Sequence, residues 1–106
     1  MQVDPLLRAI ADPTRRMVLE RLMEREHSVR ELREHVPISQ PAISQHLKVL
    51  AGAHLVSERR EGRRSFYRAR PEGFEPLVGW LAHYSTFWPD RIERLDRLLS
   101  SMDTKR

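Results

Sequence analysis

The sequence predicts a mainly α-helical fold that carries one β-hairpin. Three observations support this class: capped segments with helical spacing fill residues 2–52, two β-type segments flank a glycine turn within residues 55–70, and a long apolar segment follows. At 106 residues the chain has the length of one domain, so a single domain spanning residues 1–106 is expected. Its apolar fraction of 40% is ordinary, which favours a folded chain over a disordered one.

The first two helices are separated by an N-cap signal. Leu6, Leu7 and Ile10 have helical spacing, and Asp12-Pro13-Thr14 places a capping side chain before a proline at the first helical position. The second helix then carries an apolar side made of Val18, Leu19, Leu22 and Met23.

A helix-turn-helix is predicted between residues 28 and 52. Ser28 and Glu31 have the spacing of a capping box, and Pro37 ends the short helix that follows. Ser39 caps the next helix, which runs to about Ala51, where Gly52 is expected to close it as a left-handed residue. This helix has an apolar arc of Ile43, Leu47 and Leu50, opposite a polar arc of Gln40, Pro41, Ser44, Gln45 and Lys48.

The polar arc has the chemistry of a DNA-reading surface. Amide, hydroxyl and ammonium groups can bind base edges and phosphates in a major groove, although a polar face is also what any solvated helix presents. The pattern of two capped helices joined by a short turn favours the first interpretation, because the second helix of such a motif enters the groove by its N-terminus.

Residues 55–70 are predicted to form a basic β-hairpin, the wing. Two strand-like segments flank a turn at Glu61-Gly62, and residues 57–70 contain six arginines against two glutamates. Such a tip suits phosphate contact or insertion into the minor groove, and the alternative is a merely solvated hairpin. The predicted wing contacts are Arg59, Arg60, Arg63 and Arg64.

The last third is predicted to be helical. Pro71 and Pro89 bracket a segment, Phe74 to Trp88, that is apolar almost all round, which in so small a chain implies a partner subunit. A final amphipathic helix follows, with Ile92, Leu95, Leu99 and Met102 at steps of three and four.

Composition excludes several function classes. There is no cysteine, which removes thiolate metal sites, thiol nucleophiles and thiol redox sensing, and no apolar run is long enough for a membrane span or an export signal. Residues 1–70 hold 14 Lys/Arg against 9 Asp/Glu, which suggests a polyanionic partner. No catalytic constellation is present, so we expect a cytoplasmic protein that is not an enzyme, with no cofactor and no membrane partner.

Three segments match a known family in order and spacing. They are Ala11-Asp12-Pro13-Thr14-Arg15-Arg16, the run from Ser39 to Leu50, and Arg60-Glu61-Gly62-Arg63-Arg64 with Phe66-Tyr67. Together they resemble the ArsR family of bacterial repressors over roughly residues 5–70. The resemblance implies a winged helix-turn-helix homodimer that binds an inverted repeat of double-stranded DNA in its own or a neighbouring promoter.

The resemblance also implies roles for individual side chains. Gln40, Ser44 and Gln45 would contact bases or nearby backbone, and Ser39 and Lys48 would hold phosphate. The recognition-helix site then comprises Ser39, Gln40, Pro41, Ser44, Gln45, His46 and Lys48, with His46 open between a structural and a DNA-binding role. Arg15 and Arg16 could reach phosphate or simply be solvated.

Dimerisation is assigned by the resemblance to the first helix, at about 2–10, and to the C-terminal helices, at about 72–102. The interface residues it implies are Leu6, Leu7, Ile10, Phe74, Leu77, Leu81, Tyr84, Trp88, Ile92, Leu95 and Leu99.

Metal-sensing members of the family place ligands at positions that this chain fills differently. Ser28, Arg30 and Arg33 stand where thiols are found, and Pro71, Gly73, Tyr84 and Phe87 stand where a second subgroup has carboxylates and imidazoles. No metal site is therefore expected, and the lone His83 is more typical of a packed residue than of a ligand.

The leading hypothesis is a sequence-specific repressor that controls its own promoter and does not respond to metal through these sites. Two alternatives stay open: a winged-helix module whose aromatic helix grips a different protein, and a repressor released by an organic ligand near Trp80, Tyr84 and Trp88. The sequence does not identify a small-molecule effector.

Overall fold

The computed structural model describes residues 3–85, 87, 94 and 96–98, and consists of helices with a small sheet. In chain order the elements are α1 (Val3–Ile10), α2 (Pro13–Glu24), β1 (His27–Ser28), α3 (Val29–His35), α4 (Gln40–Gly52), β2 (Val56–Glu61), β3 (Arg64–Ala69), a 3₁₀ turn (Pro71–Phe74) and α5 (Glu75–Ala82). The arrangement is the predicted mainly α fold with a hairpin. No helix among the described residues is long and apolar enough to cross a bilayer.

Both predicted N-caps at the starts of α2 and α3 are confirmed. The Asp12 carboxylate accepts a hydrogen bond from the Arg15 backbone N–H at 2.9 Å, which lowers the pKa of Asp12. At α3 the Ser28 hydroxyl accepts from the Glu31 N–H at 3.2 Å while the Glu31 carboxylate accepts from the Ser28 N–H at 2.9 Å, closing the capping box. The backbone N–H of Ser28, followed by Arg25, lowers the pKa of Glu31 to about 2.

The core lies where α1 to α4 meet the base of the sheet. α4 packs against α2 and α3 and contributes Ile43, Leu47 and Leu50, each essentially inaccessible to solvent. The rest of the buried cluster is Leu6, Ala9, Val18, Leu19, Leu22, Leu32, Val36, Leu55 and Val56. Because helical spacing dictates which residues of α4 face this cluster, its opposite face is left for solvent.

The three strands form an antiparallel sheet in the order β1-β3-β2. In the long hairpin Val56 pairs with Ala69 and Glu61 pairs with Arg64, so the connecting loop is Gly62-Arg63. The predicted turn at Glu61-Gly62 is wrong by one residue. Gly62 has a φ of +64°, the first-position left-handed geometry that favours glycine in a two-residue hairpin loop.

The C-terminus of α4 departs from prediction. Gly52 remains helical, and the left-handed residue is His54, with φ +62°. The His54 N–H donates to the Ala51 carbonyl and the Leu55 N–H donates to the Leu50 carbonyl, both at 3.0 Å. These two bonds define a Schellman motif that ends in the buried Leu55, so the helix continues until an apolar side chain can seal its end.

The C-terminal apolar segment begins as the 3₁₀ turn and becomes α-helical only at Glu75, rather than being one helix from Phe74. The turn lies against the end of α4: a Cβ at Gly73 would stand 2.0 Å from the His54 carbonyl oxygen. α5 packs against α1 but fully buries none of its residues. The predicted final helix, Ile92 to Met102, lies largely outside the described residues.

Candidate nucleic-acid interface

The recognition helix α4 separates its side chains into two faces, as its spacing predicts. Ile43, Leu47 and Leu50 are buried, whereas the residues of the polar arc, Gln40, Pro41, Ser44, Gln45 and Lys48, are all exposed. The side chains that can read base edges therefore project from a helix that is fixed in the core on its other side. Such an arrangement orients base contacts without needing the chain to reorganise.

Ser39 has a structural task at the start of α4. Its hydroxyl oxygen accepts a hydrogen bond from the Ala42 backbone N–H at 3.3 Å, and Pro41 follows in the first turn. Since a hydroxyl can accept and donate at once, the O–H of Ser39 is still able to donate to a phosphate. The cap and the expected phosphate contact are compatible.

His46 and the two arginines of α2 meet at the end of α1. Arg15 donates through Nε to the Ala9 carbonyl and through Nη2 to the Arg8 carbonyl, and its Nη1 lies 3.4 Å from Nδ1 of the half-buried His46. Arg16 donates to the Ile10 carbonyl at 2.6 Å. The two guanidinium groups thus satisfy the carbonyls at the end of α1, a role that the sequence reasoning missed. Phosphate contact by Arg15 and Arg16 stays a prediction.

All four predicted wing arginines are exposed, and three of them differ from the fourth in their pairing. Arg60, Arg63 and Arg64 have no ion pair among the described residues. Arg63 occupies the loop itself, and the Arg64 guanidinium lies 5.0 Å from the centre of the Phe66 ring. These cations are positioned to meet a polyanion.

Arg59, unlike these three arginines, is paired with carboxylates. Its guanidinium binds both carboxylate oxygens of Glu26, at 2.7 and 3.1 Å, and the carboxylate of Glu61 at 2.7 Å. These hydrogen bonds raise the pKa of Arg59 further and lower that of Glu26. Two carboxylates thus compensate the charge of Arg59, and DNA contact by Arg59 stays a prediction.

The N-terminus of α4 and the wing line a common cleft of about 310 Å³. Its lining includes Gln40 of α4, Arg63 and Arg64 of the wing, and Arg30 of α3. The sequence analysis gave Arg30 no DNA-binding role. Arg30 is exposed near the capped start of α3, but the sequence does not show that the wing lies next to it.

The predicted interface residues fall into three groups. Leu6 is 2% exposed and lies in the chain's own core, and its assignment to an intersubunit surface stays a prediction. Leu7, Ile10, Phe74 and Leu77 are partly buried, and Leu81 and Tyr84 are exposed, as are Val78 and Phe87, which the prediction omitted. Trp88, Ile92, Leu95 and Leu99 lie outside the described residues.

Two histidines of the described part, His27 and His35, lie together. His27 is buried, with Nδ1 2.8 Å from the Arg25 carbonyl, and its ring meets the edge of His35. His83 is exposed against the ring of Tyr84. Within the described ranges no three histidine, aspartate or glutamate side chains lie close enough together to share a metal ion.

Comparison with known proteins agrees with this geometry. Residues 12–58 match the model of the family described as "Bacterial regulatory protein, arsR family". The HTH-type transcriptional regulator Rv2034 of Mycobacterium tuberculosis is 39% identical over 98 residues, covering 92% of this chain and 89% of that protein. The transcriptional repressor SdpR of Bacillus subtilis is 32% identical over 79 residues, covering 74% and 88%.

A solved structure extends the likeness to the fold. The crystal structure of a possible transcriptional regulator for arsenical resistance superimposes with a TM-score of 0.63 at 42% identity, covering 86% of this chain and 92% of that one. The matched family region includes both predicted N-caps of the helix-turn-helix, the whole of α4 and the start of β2.

Proposed function

We propose that this chain, which belongs to the arsR family of bacterial regulatory proteins, represses transcription by binding as a homodimer to an inverted-repeat operator, including one in its own promoter. That it is a DNA-binding regulator and not an enzyme follows from the family. The operator type, the dimer and autorepression are the parts proposed.

The observation that carries the proposal is the cleft shared by α4 and the wing. It places Gln40, a base-reading side chain, beside Arg63 and Arg64, two exposed cations. Glutamine side chains can bind adenine with two hydrogen bonds in the major groove, while arginines neutralise phosphates and supply most of the affinity. Specificity is thus proposed to come from Gln40, Ser44 and Gln45, and affinity from Lys48 and the wing.

The homodimer is supported by the surface of α5. Val78 is 63% exposed and Phe87 is 72% exposed, and Leu81 and Tyr84 are also exposed on the same segment. Several large exposed apolar side chains close together in the sequence favour an interaction site. A second copy related by a two-fold axis would set two recognition helices about one DNA turn, roughly 34 Å, apart.

The direct test measures binding of the purified protein to a duplex from its own promoter, by fluorescence anisotropy at several salt concentrations. We expect tight binding that weakens steeply with salt, and weaker binding to a shuffled duplex of equal length. Alanine at Gln45 should cost roughly 1–3 kcal/mol on the operator and little on shuffled DNA, whereas alanine at Arg63 should weaken both alike. Equal affinity for both duplexes, or affinity indifferent to salt, would contradict the proposal.

Metal independence is also proposed. It is supported by the absence of cysteine, which excludes thiolate ligands. Adding zinc, cobalt, nickel or cadmium ions to the protein–operator complex should leave its affinity unchanged, and a tenfold loss with any of them would refute this part.

Light scattering distinguishes the proposed homodimer from the main alternative. A monomer at micromolar concentration would favour an aromatic helix that binds a different protein.

A further inference from the structure

Besides the pairing of β1 with β3, an ion pair between distant parts of the chain joins the wing to the body of the protein. Glu26, in the connection from α2 to β1, holds Arg59 of β2 through both of its carboxylate oxygens. The two residues are 33 positions apart in sequence. A bidentate arginine–carboxylate pair fixes orientation as well as distance, because its two hydrogen bonds are parallel.

Arg59 is also held from within the hairpin. It bonds Glu61 at 2.7 Å, and its guanidinium lies 4.8 Å from the centre of the Phe66 ring, its cross-strand partner. The guanidinium of Arg64 lies 5.0 Å from the centre of the same ring. The Glu26–Arg59 pair is therefore continuous, through one aromatic ring, with a cation of the cleft shared with α4.

We propose that Glu26 and Arg59 are positioning residues for DNA binding: their ion pair sets the angle of the wing, so that Arg63 and Arg64 meet phosphates while α4 reads bases. This inference rests on the proposed function, since it concerns the same interface. An isolated exposed pair would do little, but a bidentate pair supported by a second carboxylate and a ring restricts motion more strongly.

The test compares two opposite expectations for the operator affinity of one variant, the first from its net charge and the second from the position of its wing. Glu26→Gln removes a negative charge near a DNA-binding surface, so general electrostatics alone predicts tighter binding. Positioning predicts the reverse, a loss of roughly three- to tenfold in operator affinity, since two phosphate contacts are weakened. The slope of log affinity against log salt should fall by up to about 2 for the same reason.

Glu24→Gln is the matched control. Glu24 lies at the end of α2, two residues before Glu26, and its carboxylate is 3.8 Å from Arg21. No hydrogen bond or ion pair among the described residues joins Glu24 to the wing. This variant should bind operator as tightly as the wild type or slightly more tightly. Arg59→Lys keeps the charge but cannot form the bidentate pair, so it should lose affinity like Glu26→Gln. The double variant, Glu26→Gln with Arg59→Lys, should bind operator no more weakly than the weaker-binding of the two single variants.

A measurement without DNA keeps the inference separate from the proposed function. Trypsin should cleave Glu26→Gln in the wing, after Arg60, Arg63 or Arg64, several-fold faster than the wild type or Glu24→Gln, with helical circular dichroism unchanged. If the wild type binds no operator but this difference in cleavage is seen, the proposed function fails and the positioning of the wing stands. Unchanged cleavage, or operator binding by Glu26→Gln as tight as that of the wild type, would overturn the inference.

Discussion

The recognition helix α4 and the helix α5 both carry apolar side chains, yet the described part of the chain buries only those of α4. α4 buries Ile43, Leu47 and Leu50 completely, whereas α5, only five residues shorter, fully buries none of its residues and leaves Val78 63% exposed. The difference shows that the chain's own core fixes α4. The described residues leave the apolar side chains of α5 uncovered, which is the feature behind the proposed dimer.

The largest expected effect is a loss of stability from a cavity beneath α4. Leu47→Ala should lower the free energy of unfolding by about 2–5 kcal/mol, because Leu47 is 1% exposed and its loss leaves a cavity among packed side chains. Urea denaturation followed by circular dichroism measures this change. Ser44→Ala, on the exposed face of the same helix, should stay within about 0.5 kcal/mol of the wild type, and an equal loss there would contradict the two-faced description.

The junction between the two helices gives the next largest effect. Gly73→Ala should cost roughly 1–3 kcal/mol, because its Cβ would lie 2.0 Å from the backbone oxygen of His54, which cannot rotate away. Gly79→Ala is the control, since nothing lies within 4 Å of a Cβ there and alanine favours the helix. Thermal unfolding of the two variants should therefore shift in opposite directions.

A charge introduced on α5 should weaken the proposed dimer. Leu81→Glu should weaken the proposed dimer about tenfold, close to 1.4 kcal/mol, because an exposed side chain tolerates a carboxylate in the monomer but not in an apolar interface. Sedimentation equilibrium measures the dissociation constant. Glu75→Gln, exposed at the start of α5, should leave it unchanged, and insensitivity of the dimer to Leu81→Glu would move the interface elsewhere.

The smallest effect concerns the left-handed residue that ends α4. His54→Gly should raise the free energy of unfolding by about 0.5–1 kcal/mol, since glycine adopts a φ of +62° without the clash of a Cβ. His54→Ala keeps the Cβ and should bring no gain. Chemical denaturation of both variants separates backbone strain from any role of the imidazole.

Sequence reasoning succeeded where the signal is local. Asp12, Ser28 and Ser39 each cap a helix with the neighbour that their spacing indicates, and the two faces of α4 follow from periodicity alone. Sequence reasoning failed where the partner of a side chain is distant in the sequence, or where several residues together decide the outcome. Arg59 seemed to be one more cation of the wing, because nothing in its neighbourhood reveals Glu26.

The end of α4 shows the second kind of failure. Gly52 carries the residue type expected of a left-handed position, yet the helix continues so that Leu55 can seal its end in the core. Burial of an apolar side chain outweighed the conformational preference of glycine. Arg15 and Arg16 likewise acquired partners at the end of α1 that depend on how two helices meet.

The close approach of Gly73 to His54 has a mechanical consequence. Because no side chain separates the two backbones, the 3₁₀ turn bears directly on the last residues of the Schellman motif. A displacement of this turn by a fraction of an ångström would pass from backbone to backbone, with no side chain able to rotate and absorb it. The turn and the end of α4 are therefore expected to move as one unit.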